Sequence, residues 1–264
     1  MTRTRDGQKA VSTEEFRDYD EHVSSLFEIA ARRWREAARH AGAWRATREL
    51  AGDMWYFVRD STPERARARY GDLDYDFESG ADTTAANVGW RARLAAALAG
   101  APYQPTVPAE FHEIVRSPAL DASAFTFLDV GSGKGRALLL AAEYPFRRIV
   151  GVEIVPELHA SAKENIRQWK ARHGEREIES VRGDARDFPI PEGPLVVYLF
   201  NPLPEAALAD LVRRVEDSWR AAPRPVFLLY HNAINARVLE EAEVFERIGR
   251  TERYALYRAR QVSG

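Results

Sequence analysis

Apolar and polar residues change rhythm along the 264-residue chain. Between about residues 13 and 60 the apolar positions recur at helical spacing. Phe16, Tyr19, Val23, Leu26, Phe27 and Ala30 lie three or four apart, behind a capping Thr13 with Glu14 and Glu15 in the first turn. This stripe predicts an amphipathic helix. Leu50, Met54, Trp55 and Phe57 predict a second one between Trp44 and Val58. Pro63 and the acidic, glycine-punctuated stretch Gly71 to Asp82 break the pattern and read as a solvated or substrate-facing loop. Shorter helices are predicted at about Asn87 to Leu98 and at Ala109 to Arg116.

From residue 125 the rhythm shortens. Apolar, β-branched runs at Phe125–Val130, Arg148–Glu153, Glu177–Arg182, Leu195–Phe200 and Pro225–Tyr230 predict strands, with helical patterns at about 134–144, 156–173 and 204–221 between them. Strands separated by helices need crossover connections, so this order predicts an α/β fold whose parallel sheet is covered on both faces. After a short helix near 235–242, Val244–Gly249 and Arg253–Arg260 are close enough in sequence to pair as an antiparallel terminal hairpin. The expected division is an α-helical N-terminal cap or substrate lid over 1–104 and a core domain over 105–264.

Composition adds exclusions. With 45% apolar and 11% aromatic residues the chain can bury one large core plus an extension. A net charge of −2 supplies no whole-molecule field for a polyanion, so no nucleic-acid partner is expected. Zero cysteines exclude a disulfide, a thiolate zinc site and a cysteine nucleophile, and fit a reducing compartment. The longest apolar runs, such as 137–142 and 195–200, fall far short of the roughly 18 residues a membrane span needs. The polar start Met1–Gly7 has no apolar segment after it to act as a signal peptide, so a cytoplasmic protein is expected. Only four of the 38 basic residues are lysines, and a GC-rich genome is sufficient reason for the arginine excess.

The most informative segment is Phe127-Leu128-Asp129-Val130-Gly131-Ser132-Gly133-Lys134-Gly135-Arg136, an apolar strand running through a glycine-rich turn into a helix. Glycines at 131, 133 and 135 permit positive φ, which lets a ligand approach the turn amides near a helix N-terminus. The next strand ends in Glu153, a candidate acceptor for ribose hydroxyls, and the third is followed by Gly183-Asp184-Ala185.

This D-x-G-x-G-x-G segment resembles motif I of class I S-adenosylmethionine (SAM)-dependent methyltransferases. The resemblance implies a Rossmann-like, seven-stranded, mostly parallel sheet and SAM as cofactor. It implies cofactor-binding roles for Asp129, Gly131, Ser132, Gly133, Gly135, Glu153, Asp184 and Ala185, with Asp184 receiving the adenine amino group. Asn201-Pro202 after the fourth strand is similar to the N/D-P-P-aromatic motif of amino-directed methyltransferases, although Leu203 and Pro204 depart from it. Tyr103-x-x-Thr106 resembles a loop of non-SET histone-lysine methyltransferases that closes over the methionine part of SAM, with Pro105 where that family has Glu. The stretch Asp74-Tyr75-Asp76 to Thr84 is similar to a segment of uncharacterised bacterial methyltransferases.

These likenesses imply direct methyl transfer to an N or O nucleophile, with Tyr103, Asn201 and His231 facing the reacting group and Thr106 and Asn201 also near the cofactor. His231, directly after the fifth strand, reads either as a loop histidine without chemistry or as a base. No metal is expected: the carboxylates at 72, 74, 76 and 78 lack the sixth-position glycine and twelfth-position glutamate of a calcium loop. A small-molecule acceptor is favoured mildly over a protein side chain. Two rival readings are an NAD-dependent oxidoreductase, opposed by Arg136 where the dinucleotide fingerprint needs glycine or alanine, and a non-catalytic SAM-binding partner protein.

Overall fold

The computed structural model describes residues 26–60, 73–84, 94, 104–200 and 203–260. Its centre is a seven-stranded sheet: β1 (Thr126–Val130), β2 (Arg148–Glu153), β3 (Ile178–Arg182), β4 (Leu195–Phe200), β5 (Val226–His231), β6 (Phe245–Arg250) and β7 (Tyr254–Ala259). The spatial order is β3-β2-β1-β4-β5-β7-β6, with β1 to β5 parallel and β7 antiparallel to both neighbours. The chain starts in the middle, winds outward to β3, returns to β4 and finishes with the expected hairpin. The order reverses beside β1, and that switch point is where an open α/β sheet leaves a crevice at its carboxyl edge.

The described helices are α1 (Leu26–Ala41), α2 (Ala43–Asp60), α3 (Leu73–Ser79), α4 (Pro108–Arg116), α5 (Arg136–Ala141), α6 (Pro156–His173), α7 (Glu205–Ala221) and α8 (Ala236–Glu240). Alternation along the strands assigns them to layers. Leu128, Val130, Val197 and Leu199 face Leu208, Leu211 and Val215 of α7. Phe127, Val196 and Tyr198 face Phe111 of α4, Leu138 of α5 and Ile166 of α6. Each strand side chain so buried contributes about 1.5–3 kcal/mol, which fixes the register: a one-residue slip would exchange the two sets.

Three sequence expectations need correction. Gly71 to Asp82 is not a loop throughout, because α3 forms within it and the Asp76 carboxylate accepts hydrogen bonds from Thr83 N–H and Thr84 N–H, both at 2.7 Å. The helix expected at 134–144 is confined to α5, since Gly135 at φ +85° still belongs to the turn. His231 is the last residue of β5, not a loop residue. The first helical stripe before Leu26 lies outside the described residues, as does the helix expected at 87–98 except for residue 94. Tyr103, Asn201 and Pro202 also lie outside them. Gly42, at φ +85°, separates α1 from α2. Among the described residues no helix is long and apolar enough to cross a membrane.

Candidate active site

The site begins where β1 runs out. Gly131 N–H and Ser132 N–H both donate to the Val152 carbonyl, at 2.9 and 3.1 Å, tying the turn to β2. Gly131 (φ +73°) and Gly133 (φ +55°) adopt the left-handed conformations that the sequence anticipates. This brings Gly133 N–H to 2.7 Å from Glu153 Oε2, while Val155 N–H reaches Oε1 at 2.8 Å. Gly151 is part of the same packing, because a Cβ there would stand 2.6 Å from Ser132 Oγ.

Asp129 and Glu153 are both almost completely buried. Burial, reinforced by the neighbouring Glu153 charge, pushes the Asp129 carboxyl up to about 8. Burial also pushes Glu153 up to about 7, against the backbone N–H groups of Val155, Gly133 and Ile154. No basic side chain offsets the burial of either carboxyl. Ser132 Oγ, buried beside them, has no hydrogen-bond partner.

A cavity extends from this end along the carboxyl edge of the sheet. Asp129, Gly131, Ser132 and Gly133 border it, as do Glu153 and Thr106, and further along Asp184 and Ala185. The structure thus gathers eight of the expected residues around one space. Gly135 is not among them: a Cβ there would sit 3.2 Å from Ala162 Cβ, so its lack of a side chain serves the packing of α5 on α6. His231 does not border the cavity either.

At the Asp184 end every charge is paired. Arg186 donates to Asp184 Oδ1 from its backbone N–H (2.9 Å) and Nε (2.8 Å), and also bonds Glu36 of α1. Arg32 of α1 stands 3.3 Å from Asp184 and donates to Asp187 at 2.9 Å. Burial alone would raise the Asp184 carboxyl, but the Arg186 bonds and charge outweigh it and hold the group below the ordinary carboxylate range.

Sequence reasoning missed several residues at the site. Arg136, only 2% exposed, borders the cavity while donating to Thr83 Oγ1 (2.6 Å), Asp76 Oδ1 (3.1 Å) and the Thr106 carbonyl (3.4 Å). Lys134, equally buried, pairs with Asp82 at 2.9 Å. The expected acidic loop is therefore a strap whose carboxylates neutralise the two cations of the glycine turn, and Asp76 is neither solvated nor turned toward a substrate. Tyr198 and Phe200 of β4 border the cavity as well. A signal for Tyr198 was present: it is the polar side chain in the run Leu195–Phe200, and its register partner across the β1–β4 pair is Asp129.

Behind Tyr198 lies a buried chain of hydrogen bonds. Tyr198 Oη is 2.8 Å from His231 Nδ1, and His231 Nε2 is 2.8 Å from Glu110 Oε2 on α4. Arg253 reaches Glu110 Oε1 at 3.0 Å. Phe200 stacks on the imidazole with ring centroids 4.2 Å apart. Burial pushes the His231 pKa below its ordinary value, against the opposing pull of Glu110.

Residues 127–220 match the family model described as a methyltransferase domain. No curated protein matches the chain. Among solved structures, an RNA methyltransferase from Salinibacter ruber in complex with S-adenosyl-L-homocysteine is similar at 21% identity, covering 59% of this chain and 92% of that one with a TM-score of 0.41. A SAM-dependent methyltransferase from Aquifex aeolicus is similar at 14% identity over 58% of this chain and 98% of that one, TM-score 0.41. A ribosomal protein L11 methylase from Lactobacillus delbrueckii subsp. bulgaricus is similar at 17% identity over 59% and 87%, TM-score 0.38.

Proposed function

Because the chain carries a class I, SAM-dependent methyltransferase domain and is a methyl-transferring enzyme, we propose that it holds SAM along the carboxyl edge of β1–β3 and passes the methyl directly to an N or O nucleophile. The observation that carries this reading is the buried pair Asp129 and Glu153 beside the glycine turn. SAM brings a cationic end, which the Asp129 carboxyl suits, and ribose hydroxyls, which the Glu153 carboxyl suits, and its sulfonium supplies an already activated methyl.

In this reading the amides of Gly131 to Gly133 and the Ser132 hydroxyl bind the cofactor, with Gly135 supporting the turn from behind. Glu153 has acceptor capacity left beyond its backbone bonds and takes the ribose hydroxyls. Asp184 and Ala185 receive the adenine end, with Arg186 and Arg32 holding the Asp184 carboxylate in place. Thr106, with Tyr103 and Asn201, belongs to the methyl-transfer end, and residues 1–104 act as the cap over it. The protein's task is alignment and exclusion of water, and near-attack geometry of this kind supplies ~7–11 kcal/mol of a transfer barrier.

The acceptor we favour is a small molecule in the cytoplasm, in keeping with the near-neutral charge and the absence of cysteine. The oxidoreductase alternative is not favoured: Arg136, where a dinucleotide site needs a small residue, is built into the strap. Titration calorimetry with SAM tests the cofactor assignment. Glu153→Ala is expected to lower affinity by one to two orders of magnitude, the loss typical of hydrogen bonds to a charged group. Affinity equal to the parent's would rule out the ribose role. Labelled-methyl SAM with size-fractionated extract then tests the acceptor class, label in the low-molecular-weight fraction being the expected result.

A further inference from the structure

The cavity borders one side chain whose hydrogen-bonding capacity is set from behind. Glu110 presents carboxylate oxygens to His231 Nε2 and to Arg253. A carboxylate only accepts, so neutral His231 must carry its proton on Nε2 and leave Nδ1 as an acceptor. The Tyr198 hydroxyl, 2.8 Å from Nδ1, must then donate its single proton away from the cavity. Its oxygen is left with lone pairs only, one of them facing the Thr106 hydroxyl, on a residue that borders the cavity beside Asp129.

We propose that Tyr198 is the hydrogen-bond acceptor for the N–H or O–H of the methyl acceptor, with His231 and Glu110 as positioning residues that keep its proton turned outward. This deepens the methyl-transfer reading above and rests on it. The geometry selects a nucleophile that brings a hydrogen, such as an amine or a hydroxyl, over a thioether. As the new N–CH3 or O–CH3 bond forms, the C–S bond of the sulfonium breaks with its electron pair left on sulfur. The acceptor's proton passes to Tyr198 Oη, the proton already there passes to His231 Nδ1, and Glu110 stabilises the resulting imidazolium.

His231 is faced by Glu110 of α4, Arg253 before β7, Tyr198 of β4, and Tyr254, which is opposite His231 in the β5–β7 register and whose hydroxyl donates to Glu113. Protonating His231 places a hydrogen on Nδ1 and forces the Tyr198 proton inward. Activity is therefore expected to fall on an acid limb set by His231, below the ordinary histidine range because burial lowers its pKa. Glu110 pulls that pKa upward, so Glu110→Gln should move the limb to lower pH.

Two readouts test the relay. Histidine 15N resonances of the full-length protein, with His231 assigned by difference from His231→Gln, are expected to show the Nε2–H tautomer, and an Nδ1–H tautomer would overturn the proposal. In transfer of labelled methyl from SAM to extract fractions, Tyr198→Phe should lose about 100-fold of the rate while binding SAM within about twofold of the parent. Glu110→Gln, a second variant should the first not fold, should shift the acid limb. A parental rate in Tyr198→Phe, or an unmoved limb in a folded Glu110→Gln, would refute the relay. Loss of SAM binding by Tyr198→Phe alone would make the tyrosine a cofactor ligand and refute it too. A parent protein that does not bind SAM would instead overturn the underlying methyltransferase site, and where no fraction accepts methyl the tautomer alone decides.

Discussion

Asp129 and Asp184 stand along one edge of the sheet, separated by β2, and their surroundings drive them apart. Asp129 is buried beside another carboxyl and is pushed up to about 8, while Asp184 is buried beside Arg186 and Arg32 and is held below its ordinary value. Desolvation acts on both in the same direction. The arginines decide the difference, because an opposite charge within hydrogen-bond distance outweighs it. One end of the cavity thus holds two carboxyls that no basic side chain offsets, and the other a carboxylate already paired with arginines.

The largest expected effect breaks the paired end. Arg186→Ala leaves buried Asp184 with Arg32 alone, at 3.3 Å, and should destabilise the fold by about 3 kcal/mol, as for a buried pair that loses one member. Urea unfolding at pH 7 measures it, and a loss below about 1 kcal/mol would mean that Arg32 alone suffices.

Next comes the pH response of the unsatisfied end. For Asp129 and Glu153 the folded-state pKa exceeds the unfolded one, so the folded state binds the extra protons. Their contribution to stability is present in full below about pH 4 and is lost as pH rises through about 7 and 8. Scanning calorimetry of the ligand-free protein should find Tm falling between pH 5 and 8.5, and Asp129→Asn should flatten that slope. Asp184 has the opposite sign: its contribution holds above the unfolded pKa and is lost only as pH falls below about 4. A Tm that rose from pH 5 to 8.5 would contradict the assignment. The smallest effect is expected for Arg32→Ala, whose partly exposed pairs contribute under about 1 kcal/mol, again by urea unfolding.

The framework was legible because it is written in local periods. Short apolar, β-branched runs marked all seven strands to within a residue or so, and three glycines at positive φ marked the turn. What stayed hidden joins residues far apart in sequence. Nothing local to Glu110, Tyr198 and His231 signals that they share a line of hydrogen bonds, since each comes from a different element with its own pattern. The strap was misread for a related reason. A run of carboxylates reads as solvated surface until Lys134 and Arg136, more than 50 positions on, supply the charges that Asp82 and Asp76 pair with. Gly135 differs in the opposite direction: a glycine in a ligand-binding pattern lies off the cavity, packed against Ala162.

The strap also bears on how separable this enzyme is. A chain shortened to start at residue 105 would keep every strand, yet it would strand two cations that are 98% shielded from water without Asp76 and Asp82. Unpaired buried charges cost about 3–5 kcal/mol each, comparable to the whole stability of a small domain. The helical region and the catalytic sheet are therefore expected to be inherited, expressed and lost together. Swapping either for a homologous piece would require exchanging the strap acids and the glycine-turn cations as a matched set.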